Sequence, residues 1–164
     1  MTGYKIMIIG ESPSHTRPKG MENIHFSGRT SKILWDEFSK YGITREDCYI
    51  TNVVVDLLPK GEKPTEELRK KNRPRLTKEI AKVKPTLILA VGKIAAEEML
   101  MMKIGSLTDL AGHILGPHDW PPAWIVPCIH PSAVARNPHL KPLFQDCIYA
   151  AVEAIKAIEG YKDN

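Results

Sequence analysis

Polar side chains stand at the ends of apolar runs in three distant parts of the chain, and their types can do chemistry. Glu11 comes after the first run, Asn52 lies in the second, and His130 comes after the last. A carboxylate can position water or stabilise a cation, and an imidazole can donate a hydrogen bond where negative charge develops. An amide offers both a donor and an acceptor to a ligand edge. Side chains from such distant segments indicate a site.

Four short apolar runs supply the elements that would position these side chains. They cover residues 5–9, 49–54, 86–91 and 124–129, and Pro127 weakens the last because proline removes a ladder donor. Runs that are apolar on both faces suit strands of a parallel sheet with helices on both sides. Ligands bind outside the carboxyl ends of such strands, so the three polar side chains should meet there.

Helical patterns fill the gaps between the runs. They cover residues 31–41, 94–101 and 141–158, and another begins after Thr65, whose side chain can cap it, with a break or kink expected near Pro74. Residues 103–123 are richer in Gly and Pro and should be irregular. Strands that alternate with helices predict an α/β fold of three layers, α/β/α, around a mostly parallel four-stranded sheet.

The composition is that of an ordinary globular chain, and we expect a single domain over residues 1–164. The net charge of +4 is a weak indication of a polyanionic partner. Three cysteines without CxxC spacing argue against a disulfide framework, a zinc ribbon or a four-cysteine iron–sulfur site. No apolar run approaches the roughly 20 residues of a membrane span, and the first run is too short and too early for a signal peptide. We therefore expect an intracellular, cytoplasmic protein.

Five segments, taken in order, resemble the motifs of the uracil-DNA glycosylase superfamily. The first is closest to the Gly-Glu-Ala-Pro-Gly form of the family-four enzymes, and the last resembles the second motif of the superfamily. The segments are Gly10-Glu11-Ser12-Pro13-Ser14, Phe26-Ser27-Gly28-Arg29, Tyr49-Ile50-Thr51-Asn52-Val53-Val54, residues 85–100 and His130-Pro131-Ser132. The resemblance runs from about residue 5 to residue 149. Each motif alone is weak, but together and in order they are fairly specific.

The resemblance implies a monomeric DNA glycosylase that flips uracil or a related deaminated base out of nucleoid DNA and hydrolyses its N-glycosidic bond in base-excision repair. It makes Glu11 and His130 the catalytic residues. Residues expected to bind the base are Gly10, Ser12, Phe26 and Asn52. Residues expected to contact the DNA backbone are Ser14, Arg17, Lys19, Ser132, Val134 and Arg136, with Val134 acting as an apolar wedge.

The sequence departs from family four in two respects. That family holds an iron–sulfur cluster on four cysteines, but this chain begins after the place of the first pair, and Asn72 stands about where a third ligand would be. We therefore expect no metal and no cofactor, and a local network of hydrogen bonds or apolar contacts in place of the cluster. The acidic residues that usually come after the first motif are replaced by a basic loop, residues 15–19.

Three alternative functions stay open at this point. The same scaffold serves several lesions, so the base could be hypoxanthine or a mispaired thymine. A protein that binds uracil-containing DNA without cleaving it is a second alternative, which the pairing of Glu11 with His130 disfavours. A small-molecule α/β hydrolase is the most remote, because the chain lacks a Gly-x-Ser-x-Gly elbow.

Overall fold

A single parallel sheet lies at the centre of the part of the protein that the computed structural model describes, residues 5–14 and 26–162, with side chains through residue 159. Its strands are β1 (Ile6–Gly10), β2 (Cys48–Asn52), β3 (Leu87–Val91) and β4 (Trp124–Cys128). Their spatial order is β2-β1-β3-β4, and all three neighbouring pairs are parallel. The predicted four-stranded parallel sheet is thus confirmed.

Helices cover both faces of this sheet. They are α1 (Ser31–Ser39), α2 (Glu66–Val83), α3 (Lys93–Leu100), α4 (Leu107–Leu110), α5 (Pro131–Arg136) and α6 (Lys141–Lys162), with short 3-10 turns at Arg45–Asp47 and Pro138–Leu140. Helices α1, α5 and α6 pack on one face, and α2 and α3 pack on the other, which confirms the three-layer architecture. Across the described ranges, no helix has both the length and the apolar character that crossing a bilayer requires.

The alternation of side chains along β1 shows why its sequence is apolar throughout. Ile6 and Ile8 point into the layer of α1, α5 and α6, whereas Met7 and Ile9 point into the layer of α2 and α3. All four are at most 3% exposed. A fully buried side chain of this size contributes about 1.5–3 kcal/mol relative to an exposed one. Both core layers therefore depend on the same short strand.

Two prolines lie inside regular elements. We expected a break or kink near Pro74, but helix α2 runs through this residue without a break, so the expected break is wrong. Leu76 and Ile80, which come after the proline, are at most 2% exposed, and they pack the second half of the helix into the core. Pro127 is tolerated in β4 because β4 is an edge strand, where a missing ladder donor does no harm.

Asn72 joins the loop after β2 to helix α2. Its side-chain oxygen accepts the backbone N–H of Val55 at 3.2 Å, and its amide nitrogen donates to the Leu68 carbonyl at 2.9 Å and to the Asp56 carboxylate at 3.3 Å. The side chain is buried. The position that the family-four resemblance assigns to a cluster ligand thus holds a hydrogen-bond network, as expected.

We predict that Asn72→Ala lowers the free energy of unfolding by about 1–3 kcal/mol, because it leaves buried polar groups without partners. Urea denaturation measures the change, with Lys71→Ala as the control, since Lys71 is the exposed neighbour on the same helix. An effect of Asn72→Ala no larger than that of the control would show that the network adds nothing to stability.

Candidate active site

The site lies where the carboxyl ends of β1, β2 and β3 come together. Gly10 stands opposite Asn52 in the register of β1 and β2. The pairing continues past both strand ends, because the N–H groups of Val53 and Val54 donate to the carbonyls of Gly10 and Glu11 at 2.8 and 3.0 Å. Chain connections leave β1 and β3 in opposite directions, which opens a crevice at their carboxyl ends.

Glu11 is fixed at the start of α3. Its Oε2 accepts the backbone N–H of Ile94 at 2.9 Å, at a helix end that favours negative charge. Its Oε1 lies 3.7 Å from Nζ of Lys63, an exposed lysine on the loop that precedes α2. Gly92 makes this placement possible, because a β-carbon there would lie 2.7 Å from Oε2. One carboxylate oxygen is thus anchored, and the other faces the crevice.

Phe26 and Asn52 converge over Gly10. A β-carbon at Gly10 would lie 2.5 Å from Cζ of Phe26 and 2.6 Å from Oδ1 of Asn52. Both distances are far inside van der Waals contact, so only glycine permits this approach. An aromatic ring and an amide therefore meet at the end of β1, where they can hold a planar ring between a stacking face and a hydrogen-bonding edge.

The backbone of Phe26 is strained and held in place from outside. Its φ of 55° is rare for a residue with a side chain. The indole N–H of Trp35 donates to its carbonyl at 3.0 Å, and the guanidinium of Arg45 donates to the same oxygen. The Arg45 guanidinium also lies 5.1 Å from the centroid of the Trp35 ring. Two donors thus hold the backbone from which the phenyl ring projects.

His130 precedes α5 and acts as its N-cap. Its Nδ1 accepts the backbone N–H of Ser132 at 3.1 Å, and the Ser132 hydroxyl lies 2.8 Å from the same nitrogen. A ring nitrogen that accepts an N–H carries no proton, so the neutral imidazole has its proton on Nε2. Burial lowers the pKa of the imidazole, against an opposing effect of Glu11. The cations Lys63 and Arg136 reinforce the lowering. The ring is therefore a neutral hydrogen-bond donor at neutral pH.

These groups line one cavity of about 420 Å³, within the usual range of small-molecule sites. The predicted residues in its wall are Glu11, Ser12, Ser14, Phe26, Asn52, His130, Ser132 and Arg136. Gly10 lies beneath them, under the Phe26 ring. Within residues 5–14 and 26–162, no group of three or more His, Cys, Asp or Glu residues could hold a metal ion.

Val134, one of the predicted DNA-contacting residues, does not line the cavity. Arg17 and Lys19 fall outside the described residues. Val134 is 5% exposed and belongs to the core beneath α5, so in this conformation its side chain offers no surface to DNA. On a helix as short as α5, spacing alone does not reveal which side faces the sheet. The exposed side carries Ala135 and Arg136 instead.

Sequence reasoning missed two residues that shape the site. Lys63 lines the cavity and faces Glu11. Arg75 of α2 donates to the carbonyls of Asn52 and Val53 from behind the cavity. Neither residue belongs to a motif, and a cation on a loop or in the middle of a helix is commonly solvated, so the sequence carried no signal for them.

A second cavity, of about 330 Å³, lies between α2 and α3. Its wall includes Arg69 and Arg73, which are paired with the buried carboxylate of Glu98 at 2.9 and 2.6 Å. None of the motif residues at the strand ends lines it. The carboxylate of Glu98 is thus already paired with two guanidinium groups.

Comparisons with known proteins agree with this geometry. The sequence model of the uracil DNA glycosylase superfamily matches residues 2–153. A type-4 uracil-DNA glycosylase of Pyrobaculum aerophilum is 32% identical over 150 residues, which cover 85% of this chain and 72% of the relative. Another, from Archaeoglobus fulgidus, is 26% identical over 141 residues, 84% of this chain and 70% of the relative.

A solved structure shows the same fold. The crystal structure of wild-type SMUG2 from Pedobacter heparinus superposes with a TM-score of 0.56 at 13% sequence identity, covering 98% of this chain and 76% of that one. The chain belongs to the uracil DNA glycosylase superfamily, as the order of its motifs predicted.

We predict that NMR of ¹⁵N-histidine-labelled protein shows His130 as the neutral form with the proton on Nε2. Because burial lowers its pKa, the neutral form should persist as the pH falls, and the ring should charge only below about 6.5. His130→Asn identifies the signals by their loss. A proton on Nδ1 at neutral pH, or a titration midpoint above the ordinary value, would contradict this assignment.

Proposed function

We propose that this protein is a DNA glycosylase that excises uracil from DNA by hydrolysis of the N-glycosidic bond, at the start of base-excision repair. The supporting observation is the cavity at the strand ends, which unites Glu11, Phe26, Asn52 and His130 in a member of the uracil DNA glycosylase superfamily. The charges that the reaction creates determine the roles of these residues.

His130 stabilises the departing base. Cleavage of the N-glycosidic bond leaves the bonding electrons on the base, so negative charge develops on its oxygens. The Nε2–H donor is set before the reaction begins, because Ser132 occupies the other ring nitrogen. A preoriented donor in a site that excludes water costs little reorganisation as the charge grows.

Glu11 acts on the sugar side of the bond. The sugar gains cationic character as the base leaves, and a nearby carboxylate stabilises it. Since Oε2 is held by Ile94, Oε1 remains to accept a hydrogen bond from the attacking water. Water adds to the sugar carbon that uracil has left, and one water proton passes to solvent or to a basic side chain nearby. The uracil anion is protonated on release.

Asn52 reads the edge of the base. Uracil presents an N–H flanked by carbonyl oxygens, so an amide can accept from the former and donate to one of the latter. Cytosine presents the reverse pattern, and an amide that turned over would fit it. Selection of uracil therefore requires that Asn52 be held in one orientation, and this residue is only 3% exposed.

The DNA backbone remains outside while the base enters the cavity. Phe26 offers the flipped base a stacking face, which is worth roughly 1–3 kcal/mol in other base-stacking proteins. Two exposed cations lie on different walls at the opening: Lys63 on the loop before α2, and Arg136 at the end of α5. We assign both to the phosphates beside the flipped nucleotide, together with the hydroxyl of Ser14, while Ser12 stays among the residues that bind the base. Arg17 and Lys19 belong to the same interface in this proposal.

As the resemblance to the uracil-DNA glycosylase superfamily implies, the protein acts as a monomer of one domain on nucleoid DNA inside the cell. Light scattering of the protein alone and with a uracil oligonucleotide checks the subunit number.

We predict that His130→Ala lowers the single-turnover rate of uracil release by roughly 10²–10³, the usual effect of losing one charge-stabilising donor. The test uses a labelled uracil oligonucleotide with alkali cleavage of the abasic product. His139→Ala is the matched control, because His139 is exposed and lies outside the cavity wall. If folded His130→Ala releases uracil at the parental rate, its assigned role is wrong. If the parental protein retards uracil DNA on a gel but releases no base, it is a binding protein and not a glycosylase.

We predict that affinity for DNA falls as salt rises, and that Arg136→Gln and Lys63→Gln each reduce the log–log slope by about 0.9, the value for one phosphate contact. Fluorescence anisotropy measures the slope. Lys82→Gln is the control, since Lys82 lies in the last turn of α2, at the opposite end of the sheet. A parental affinity that does not change with salt would refute the phosphate contacts.

A further inference from the structure

The carboxyl end of β2 is buried although, among the residues that the structure describes, no strand pairs with its outer side. The strand is at the edge of the sheet, so its outer carbonyls have no ladder partner. Thr51, Asn52 and Val53 are nevertheless at most 3% exposed. Buried carbonyls need hydrogen-bond donors. Nη2 of Arg75 provides them, donating to the carbonyl of Asn52 at 2.7 Å and to that of Val53 at 3.0 Å.

The guanidinium of Arg75 is itself held rigidly. Its Nη1 donates to the Thr51 hydroxyl at 3.2 Å and to the Glu79 carboxylate at 2.5 Å. Glu79 lies one turn further along α2, so the ion pair is local to the helix. The planar fork can therefore contact three successive residues of the strand end at once, which a lysine ammonium cannot do.

We infer that Arg75 is a positioning residue for Asn52: it ties the end of the edge strand to α2 and thereby sets the orientation in which the amide meets the base. The inference rests on the proposed role of Asn52 in reading uracil. Oδ1 of Asn52 lies so close to Gly10 that a small shift of the strand end would move the amide out of register with the base. A displacement of about 1 Å in a positioning element can lower a rate 10²-fold.

Arg73 supplies a matched comparison. It lies on the same helix, and it is also paired with a carboxylate, that of Glu98. Its contacts lie at the second cavity, away from Asn52. Arg73→Met and Arg75→Met each remove one ion-paired guanidinium from α2, but only the second removes the support of the strand end.

The test is a double-mutant cycle in single-turnover uracil release, with thermal melting recorded for each variant. We expect Arg75→Met to lower the rate constant by about 10–100-fold and Arg73→Met to leave it near the parental value, although both melt earlier. In an Asn52→Ala background, Arg75→Met should change the rate by no more than about twofold, because the residue that it positions is gone.

Two results would overturn the inference. One is a folded Arg75→Met protein that releases uracil at the parental rate. The other is an Arg75→Met effect of undiminished size in the Asn52→Ala background, which is the mark of a general structural role. If Arg75→Met does not fold, Arg75→Lys is tested instead, because it keeps the charge but removes the planar guanidinium. A several-fold lower rate of uracil release then supports the inference, and a parental rate refutes it. A parental rate for Asn52→Ala alone would instead refute the proposed role of Asn52.

Discussion

Two glycines at the carboxyl ends of adjacent strands leave the space in which the site is assembled. Gly10 lies beneath Phe26 and Asn52, and Gly92 lies against the carboxylate of Glu11. A single added methyl group at either position would overlap these side chains. At position 92, a residue with a side chain would also have to adopt a φ of +99°. The close approach of side chains from distant segments therefore depends on the absence of two β-carbons. The parallel sheet brings the strand ends to one edge, and the two glycines allow the side chains there to approach each other closely.

The electrostatics of the cavity are arranged before any substrate arrives. An anionic group at the start of α3 and a neutral imidazole at the start of α5 are each fixed by a backbone N–H, that of Ile94 and that of Ser132. Both contacts leave one atom of the side chain directed at the cavity: Oε1 of Glu11 and Nε2 of His130. The first turns of α3 and α5 thus hold Glu11 and His130 in place at the cavity. In the proposed function, the carboxylate acts on the sugar and the imidazole on the base.

Much of this arrangement could be predicted from the sequence, because strand ends in a parallel sheet must share one edge. The apolar runs located the strands to within one or two residues, and the positions of Glu11 and His130 directly after two of these runs placed both side chains at that edge. Features that depend on three-dimensional neighbours could not be predicted. The burial of Val134 depends on how a short helix sits on the sheet, and the contact of Arg75 with the end of β2 depends on the distance between a helix and an edge strand. Neither leaves a pattern in the chain.

The most direct test of a base-reading cavity at the strand ends is an NMR titration of the ¹⁵N-labelled protein with free uracil and, in parallel, with free cytosine. The account predicts that millimolar uracil shifts the backbone signal of Gly10, the side-chain amide of Asn52 and the Nε2–H of His130, and that cytosine shifts none of them at the same concentration. Shifts confined to the cavity between α2 and α3, or equal responses to the two bases, would contradict it.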